Sequence, residues 1–497
     1  MNIERSIRKT VTRLGRFFPF RQLFLLYYRA ALSACAACGR ADGGVEALLA
    51  HRGWTRGDWT PGVSDLDLFV VLGPGGQPVR WAAASAKLKK IFPVIGEWLC
   101  ATRPELDLYS RHGDLRAAEL AAFARPLCGR GGIGRGYRPG AAKLRVDAWN
   151  ECFHAHARLC NIFFSRQPGE AGAYGARKSL LDLERYGACA AAGPEVLPAN
   201  RTDTERALFQ GNSGLRGLLL EISSGPLGQE TALAAVSYSA SALERAATAA
   251  LAELGAVRNS SRPEPTVASA HECGANARFG EELKARLGAA FRGAVTDTLF
   301  ESYFVFDWGD SEKTSAALHH FRDLAAGHPA LSGAKILLGP DSMRLLSACL
   351  RIEDPASCGF GSGETAVGVS GRSLELQAHR RASFFEACGG WAVETGRDAE
   401  LRREAFAKML ISWRYDAYQG AAGEEKGRRL KYYWLPRAAH FYLFYVHGLK
   451  MPCYPAEPLL EAVGRVLPQS APRMDAPAAA CAELVREMNA ASIQALK

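Results

Sequence analysis

Apolar positions along the chain follow two rhythms. At the start, Ile3, Ile7, Val11 and Leu14 recur at helical spacing among Arg5, Arg8, Lys9, Arg13 and Arg16. This predicts a basic amphipathic segment over residues 1–22, with packing on its own domain as the expected role and a membrane surface as the alternative. From Leu23 to Leu49 Ala and Leu dominate, broken by RADGG at 40–44, and the stretch reads as helical segments. The rhythm then changes to period two. SDLDLFVVL, residues 64–72, alternates and closes on branched apolar residues, which predicts a strand stopped by GPGGQP at 73–78. VRWAAASAKLKKIFPVIGEWL, 79–99, returns to helical composition, and PELDLYS, 104–110, predicts a second strand. This alternation describes a small α/β unit over residues 23–126.

Beyond that unit the pattern is mainly helical. LCGRGGIGRGYRPGAAKLR, 127–145, reads as a Gly-rich basic linker. VDAWNECFHAHARLCNIFFSR then opens a helical domain assigned to 146–260, and a second mainly helical region is assigned to 275–497. Breaks at 191–203, 257–274, 357–373 and 420–429 separate helices expected at 232–254, 276–291 and 398–418. Short strands are expected at 335–339 and 373–377, and no internal repeat is visible. The expected fold class is α/β (α+β), a domain with a small mixed sheet followed by a mainly helical region.

Chemistry enters through the acidic residues that interrupt the apolar strand. An unpaired carboxylate weakens a buried strand, so Asp65 and Asp67 call for a cation. Two apart on a strand, both side chains point to one face, where their oxygens can reach one Mg²⁺. Mg²⁺ takes a few carboxylates and completes its shell with water and phosphate oxygens, which suits a nucleoside triphosphate. On the expected second strand, Glu105 and Asp107 share a face in the same way and can complete a two-metal site. Upstream, the turn RGWTRGD places Gly53 and Gly57 near Thr55 and Arg56, where backbone N–H groups can meet phosphate.

The order of TRGDWTPGVSDLDLFVV and, about 40 residues on, ELDLYS resembles the signature of the polymerase-beta-like nucleotidyltransferase superfamily, closest to its minimal and antibiotic-modifying branches. The match covers about a fifth of the chain. The resemblance implies Asp65 and Asp67 as metal ligands, Asp107 as the third carboxylate and Glu105 as its reserve. It implies a triphosphate grip from Arg52, Gly53, Thr55, Arg56, Gly57 and Ser64. It also implies Mg²⁺, with two ions accommodated, ATP as donor, and transfer of AMP to a hydroxyl of a small molecule, a protein or an RNA end. One departure stands out: Arg52-Gly53 holds the place of the family's Gly-Ser, so the serine hydroxyl is missing. Two alternatives therefore stand beside the enzyme reading. One is a degenerate descendant that binds nucleotide or a partner, and the other is a metal-dependent glycosyltransferase using Asp-X-Asp.

Composition narrows the picture only a little. The 497 residues suggest about three domains at ~150 residues each. A net charge of +10, from 61 basic against 51 acidic residues, favours anionic partners without choosing among them. Thirteen scattered cysteines read as reduced thiols, the N-terminus does not read as a secretory leader, and a cytoplasmic location is expected. No apolar stretch is long enough to span a bilayer. Cys35 and Cys38 lack a second pair and read as packed helix residues. His154 and His156, like His319 and His320, diverge on a helix and do not chelate together. The basic residues Arg130, Arg135, Arg138, Lys143 and Arg145 read as a surface linker rather than an RNA contact. Residues 426–452 read as a buried helix with a basic lead-in, and 359–371 lacks the closing Gly-Lys-Ser/Thr of a phosphate loop. An Asp or Glu of the helical region could serve as general base, and the sequence singles out none; Asp147 and Glu151 merely lie near the domain junction.

Overall fold

The computed structural model describes residues 14, 17–59, 64–74, 77–130, 132–134, 136–165, 169–192, 200–211, 213–255, 257–258, 268–269, 283–296, 301–308, 311–327, 334–353, 393–394, 398–419, 430–451, 456–467 and 477–497. The chain forms two compact units. The first comprises Met1–Arg138, Arg403–Lys450 and Leu460–Lys497, and the second comprises Pro139–Arg402 with Met451–Leu459. The stretch 275–497, read from sequence as one region, is thus divided between both units.

The first unit is built on a mixed four-stranded sheet. Its elements begin with α1 (Phe18–Ala41), β1 (Val45–His51), the single turn α2 (Gly53–Arg56), β2 (Leu66–Leu72), α3 (Val79–Ile91) and β3 (Ile95–Thr102). They continue with α4 (Arg103–His112), α5 (Leu115–Phe123) and β4 (Arg125–Gly129). The strand order is β3-β2-β1-β4, with β1 antiparallel to both neighbours and β2 parallel to β3. On one face, Leu48, Leu68 and Val70 pack with Tyr28 of α1 and Trp81 of α3. On the other, Leu49, Phe69 and Val71 pack with Leu106 of α4, Leu120 of α5, and Ala407 and Ile411 of the helix Asp398–Gln419. Helices on both faces explain the unbroken apolar run of β2, because no position in its middle meets water.

Two expectations are corrected here. Residues 45–51, read as part of a helical stretch, form β1; their Ala and Leu mimic a helix, but pairing with β2 and burial on both sides decide the conformation. PELDLYS is not a strand. Thr102 and Glu105 form a reciprocal capping box with Pro104 in the first turn, so residues 103–112 are helical. The strand beside β2 is the preceding IGEWLCAT.

The second unit packs the long helices Ala141–Phe163, Gly169–Ala192 and Gln229–Leu254 with a further sheet, which the sequence reading underestimated. Strands β5 (Val257–Arg258) and β10 (Val393–Glu394) pair as a short ribbon. Strands β6 (Ala268–Ser269), β7 (Phe291–Thr296), β8 (Glu301–Phe306) and β9 (Ala334–Leu338) form a four-stranded sheet in that order. Phe304, Phe306 and Phe321 join the helices in one core. The helices at 232–254 and 398–418 and the strand at 335–339 occur where expected, as Gln229–Leu254, Asp398–Gln419 and β9. The segment 430–447 is a buried π turn and helix, also as expected. Lys143 and Arg145 are already helical, and Lys143 is buried against Asp147 at 2.7 Å, so neither belongs to a linker. The expectations for residues 1–13, 359–371 and 373–377 lie outside the described residues. Among the described residues no helix is long and apolar enough to cross a membrane.

His156 fixes a junction within the second unit. Its Nε2 lies within hydrogen-bond reach of the Leu337 carbonyl of β9, and its Nδ1 lies 2.7 Å from Ser239 Oγ. Burial pushes its pKa down to about 4, against the raising effect of the Leu337 carbonyl. The native state therefore refuses a proton that the unfolded chain accepts near the ordinary pKa of ~6.5, and stability falls as pH drops through that window. Denaturant unfolding should show the wild type losing about 2 kcal/mol more than His156→Gln between pH 7.5 and pH 5.

Candidate active site

The site forms at the entrance to β2, the one place where this doubly covered strand meets water. Asp65 is exposed just before the strand and Asp67 is half-buried at its second position. Across from them lies Gly96 of β3, at an irregularity in the β2–β3 register. A Cβ on Gly96 would stand 2.7 Å from Asp65 Cβ and 3.1 Å from Asp67 Oδ1, so the glycine is what admits both acids. The two aspartates are therefore brought to one place, as their spacing predicts.

The third carboxylate of this cluster is Glu97, which sequence reading missed. Its backbone N–H donates to the Asp67 carboxylate, and its side chain accepts from Arg52 Nη1 at 2.8 Å. The same guanidinium nitrogen is 3.7 Å from Asp67 Oδ2. Burial raises the pKa of Asp67, with Glu97 and Asp65 adding to the effect and Arg52 opposing it. Arg52 keeps its charge: burial works against the guanidinium, but Asp67 and Glu97 outweigh it and raise its pKa. Lys89 of α3 also lies in the field of all three carboxylates, which oppose the lowering of its pKa by burial. His51, opposite Asp67 in the β1–β2 register, is buried and held neutral, its pKa lowered first by burial and then by Arg52.

Residues 52–59 and Ser64, between β1 and β2, are anchored by several contacts. Tyr28, Trp54 and Trp59 form an aromatic cluster with ring centroids 5.2–5.5 Å apart. The Tyr28 hydroxyl donates to the Ser64 carbonyl at 2.6 Å. Thr55 Oγ1 donates to the Arg52 carbonyl at 3.1 Å, and Gly57 caps the turn at φ 80. Arg56, expected to grip phosphate, is instead buried, bonded to Glu119 and 3.5 Å from Asp58. Arg56, Asp58 and Glu119 form an internal ion-pair group.

Glu105 and Asp107 do not join the cluster as expected, because helix α4 replaces the expected strand. Glu105 is buried and bonded by Arg414 through two nitrogens at 2.6 and 3.0 Å. Asp107 lies exposed on the helix, its carbonyl accepting from Ser110 Oγ and Arg111 Nε. In the second unit Asp147 is paired with Lys143 and Glu151 is buried, so neither stands as a free base. Cys35 is buried in α1, its thiol pushed up to about 12 by burial and by Cys38, as a packed residue would be.

Asp65, Asp67 and Glu97 offer only hard carboxylate oxygens, a donor set that fits Mg²⁺. Among the described residues, no three His, Cys, Asp or Glu side chains are drawn together as a finished metal cage. The guanidinium of Arg52 bridges two of the acids. No protein-family model, curated protein or solved structure matches the chain.

Gly96→Ala should force the acidic pair apart and destabilise the first unit by about 1–3 kcal/mol, measured by chemical unfolding. Glu105→Gln should lower stability by about 3–5 kcal/mol, since it strands the buried Arg414 charge.

Proposed function

We propose that the chain is a Mg²⁺-dependent nucleotidyltransferase that moves a nucleoside monophosphate, with AMP from ATP as the default, onto a hydroxyl acceptor. The observation that carries this reading is the pairing of β2 with β3, which brings Asp65 and Asp67 together over Gly96 at the sheet's rim and lets the Glu97 backbone N–H donate to the Asp67 carboxylate. The sequence resemblance requires two acidic strands side by side in a small mixed sheet, and the sheet order supports that requirement.

In this reading Asp65, Asp67 and Glu97 hold the metal, and Glu97 takes the part that the resemblance assigned to Asp107. When bound, Mg²⁺ neutralises triphosphate charge and makes the acceptor hydroxyl easier to deprotonate. The acceptor hydroxyl gives up its proton to solvent as its oxygen forms a bond to the α-phosphorus, the bond from that phosphorus to the bridging oxygen breaks, and pyrophosphate leaves with the electron pair. The chain's contribution is positioning: the aromatic cluster fixes the turn, and Gly96 admits the acids at one point.

A second reading, a degenerate protein that binds nucleotide or a partner without turnover, is favoured by one observation. Arg52 is already paired with two of the three carboxylates. Pyrophosphate release and thermal shift distinguish the two. The enzyme should release pyrophosphate from ATP only with Mg²⁺, and Asp67→Asn and Glu97→Gln should each reduce the rate ~100-fold while Asp107→Asn stays near wild type. ATP should raise the melting temperature only with Mg²⁺, whereas a UDP-sugar should not. ATP-induced stabilisation without turnover across a panel of acceptors would favour the degenerate reading.

A further inference from the structure

The carboxylate cluster already holds a cation of its own. Arg52 Nη1 sits 2.8 Å from Glu97 Oε2 and 3.7 Å from Asp67 Oδ2. The backbone that delivers this guanidinium is itself unusual. Arg52 lies at φ 62, ψ −137, and it is the one non-glycine residue with positive φ among the described residues. Glycine occupies that conformation without strain, whereas a side chain must be held there by its surroundings. The ion pairs to Asp67 and Glu97 are what the side chain gains in return.

We propose that Arg52 is an exchangeable counterion. In the metal-free protein its guanidinium neutralises Asp67 and Glu97; a divalent cation has to displace it, and the cluster's affinity for metal is held down accordingly. The inference rests on the reading of this cluster as a metal site. Arg52 keeps partial contact with solvent, its side chain being 28% exposed. The neighbouring Arg56 offers a contrast: its side chain is 6% exposed and locked between Asp58 and Glu119, so it is a fixed part of the turn. Adjacent arginines thus divide two tasks, one structural and one displaceable.

The test is a Mn²⁺ titration of the metal-free full-length chain, with free Mn²⁺ followed by electron paramagnetic resonance. Wild type is compared with Arg52→Gly, Arg52→Gln and Asp67→Asn. Both Arg52 variants should bind Mn²⁺ about tenfold more tightly than wild type, the scale on which one adjacent opposite charge alters a carboxylate's affinity for a proton. Asp67→Asn should lose the site. Arg52→Gly is suited to the native backbone, and Arg52→Gln keeps the side chain's length without its charge. Unchanged or weaker binding in both variants, with wild-type binding abolished by Asp67→Asn, overturns the counterion role alone. Tightening in Arg52→Gly but not in Arg52→Gln assigns the effect to the backbone and also overturns it. Absence of Mn²⁺ binding in wild type and in both Arg52 variants overturns the metal-site reading itself.

Discussion

Strand β2 is covered on both faces, and that single constraint organises the first unit. From Leu68 to Leu72 no side chain is more than 1% exposed, so a charge placed anywhere in this run would have to be desolvated. Charge is admissible only at the strand's entrance, where Asp65 and Asp67 stand. The parallel neighbour β3 enters the sheet from the same end, and so brings its own polar residues to that rim. The acidic cluster follows from where a fully buried strand begins.

The rim is then stiffened by groups outside the acidic cluster. Arg56, Asp58 and Glu119 form a buried ion-pair group, which contributes little net stability but penalises any other arrangement of the turn. Tyr28 ties α1 to the same turn through its hydroxyl and through stacking on Trp54.

The parts legible in the sequence were those with local, periodic signals. SDLDLFVVL announced β2 and its acidic entrance, and the Gly-rich stops framed it. β1 was obscured because VEALLAH has the composition of a helix and becomes a strand only through its partners. The third acid was misplaced for a subtler reason. ELDLYS repeats the Asp-X-Asp look of the first strand, whereas the Thr102 to Glu105 spacing of a capping box marks it as a helix start. Glu97 hid in a segment of helical composition; its signal was Gly96, a glycine before a lone acid between apolar residues. Nothing local foretold that Arg56 would be buried while Arg52 faces the acids, since both depend on contacts with distant residues, Glu119 and Glu97.

The helix Asp398–Gln419 covers one face of a sheet made by the first 130 residues, and Arg414 within it neutralises Glu105. The first unit is therefore assembled from distant parts of the chain. During synthesis, Pro139–Arg402 must leave the ribosome before Ala407, Ile411 and Arg414 exist. Until then the nascent sheet carries an uncovered apolar face and a carboxylate without its cation, so its core closes only after the second unit has been made. For the same reason, a fragment ending near residue 138 would contain every residue of the acidic cluster and still lack the surface that completes its core.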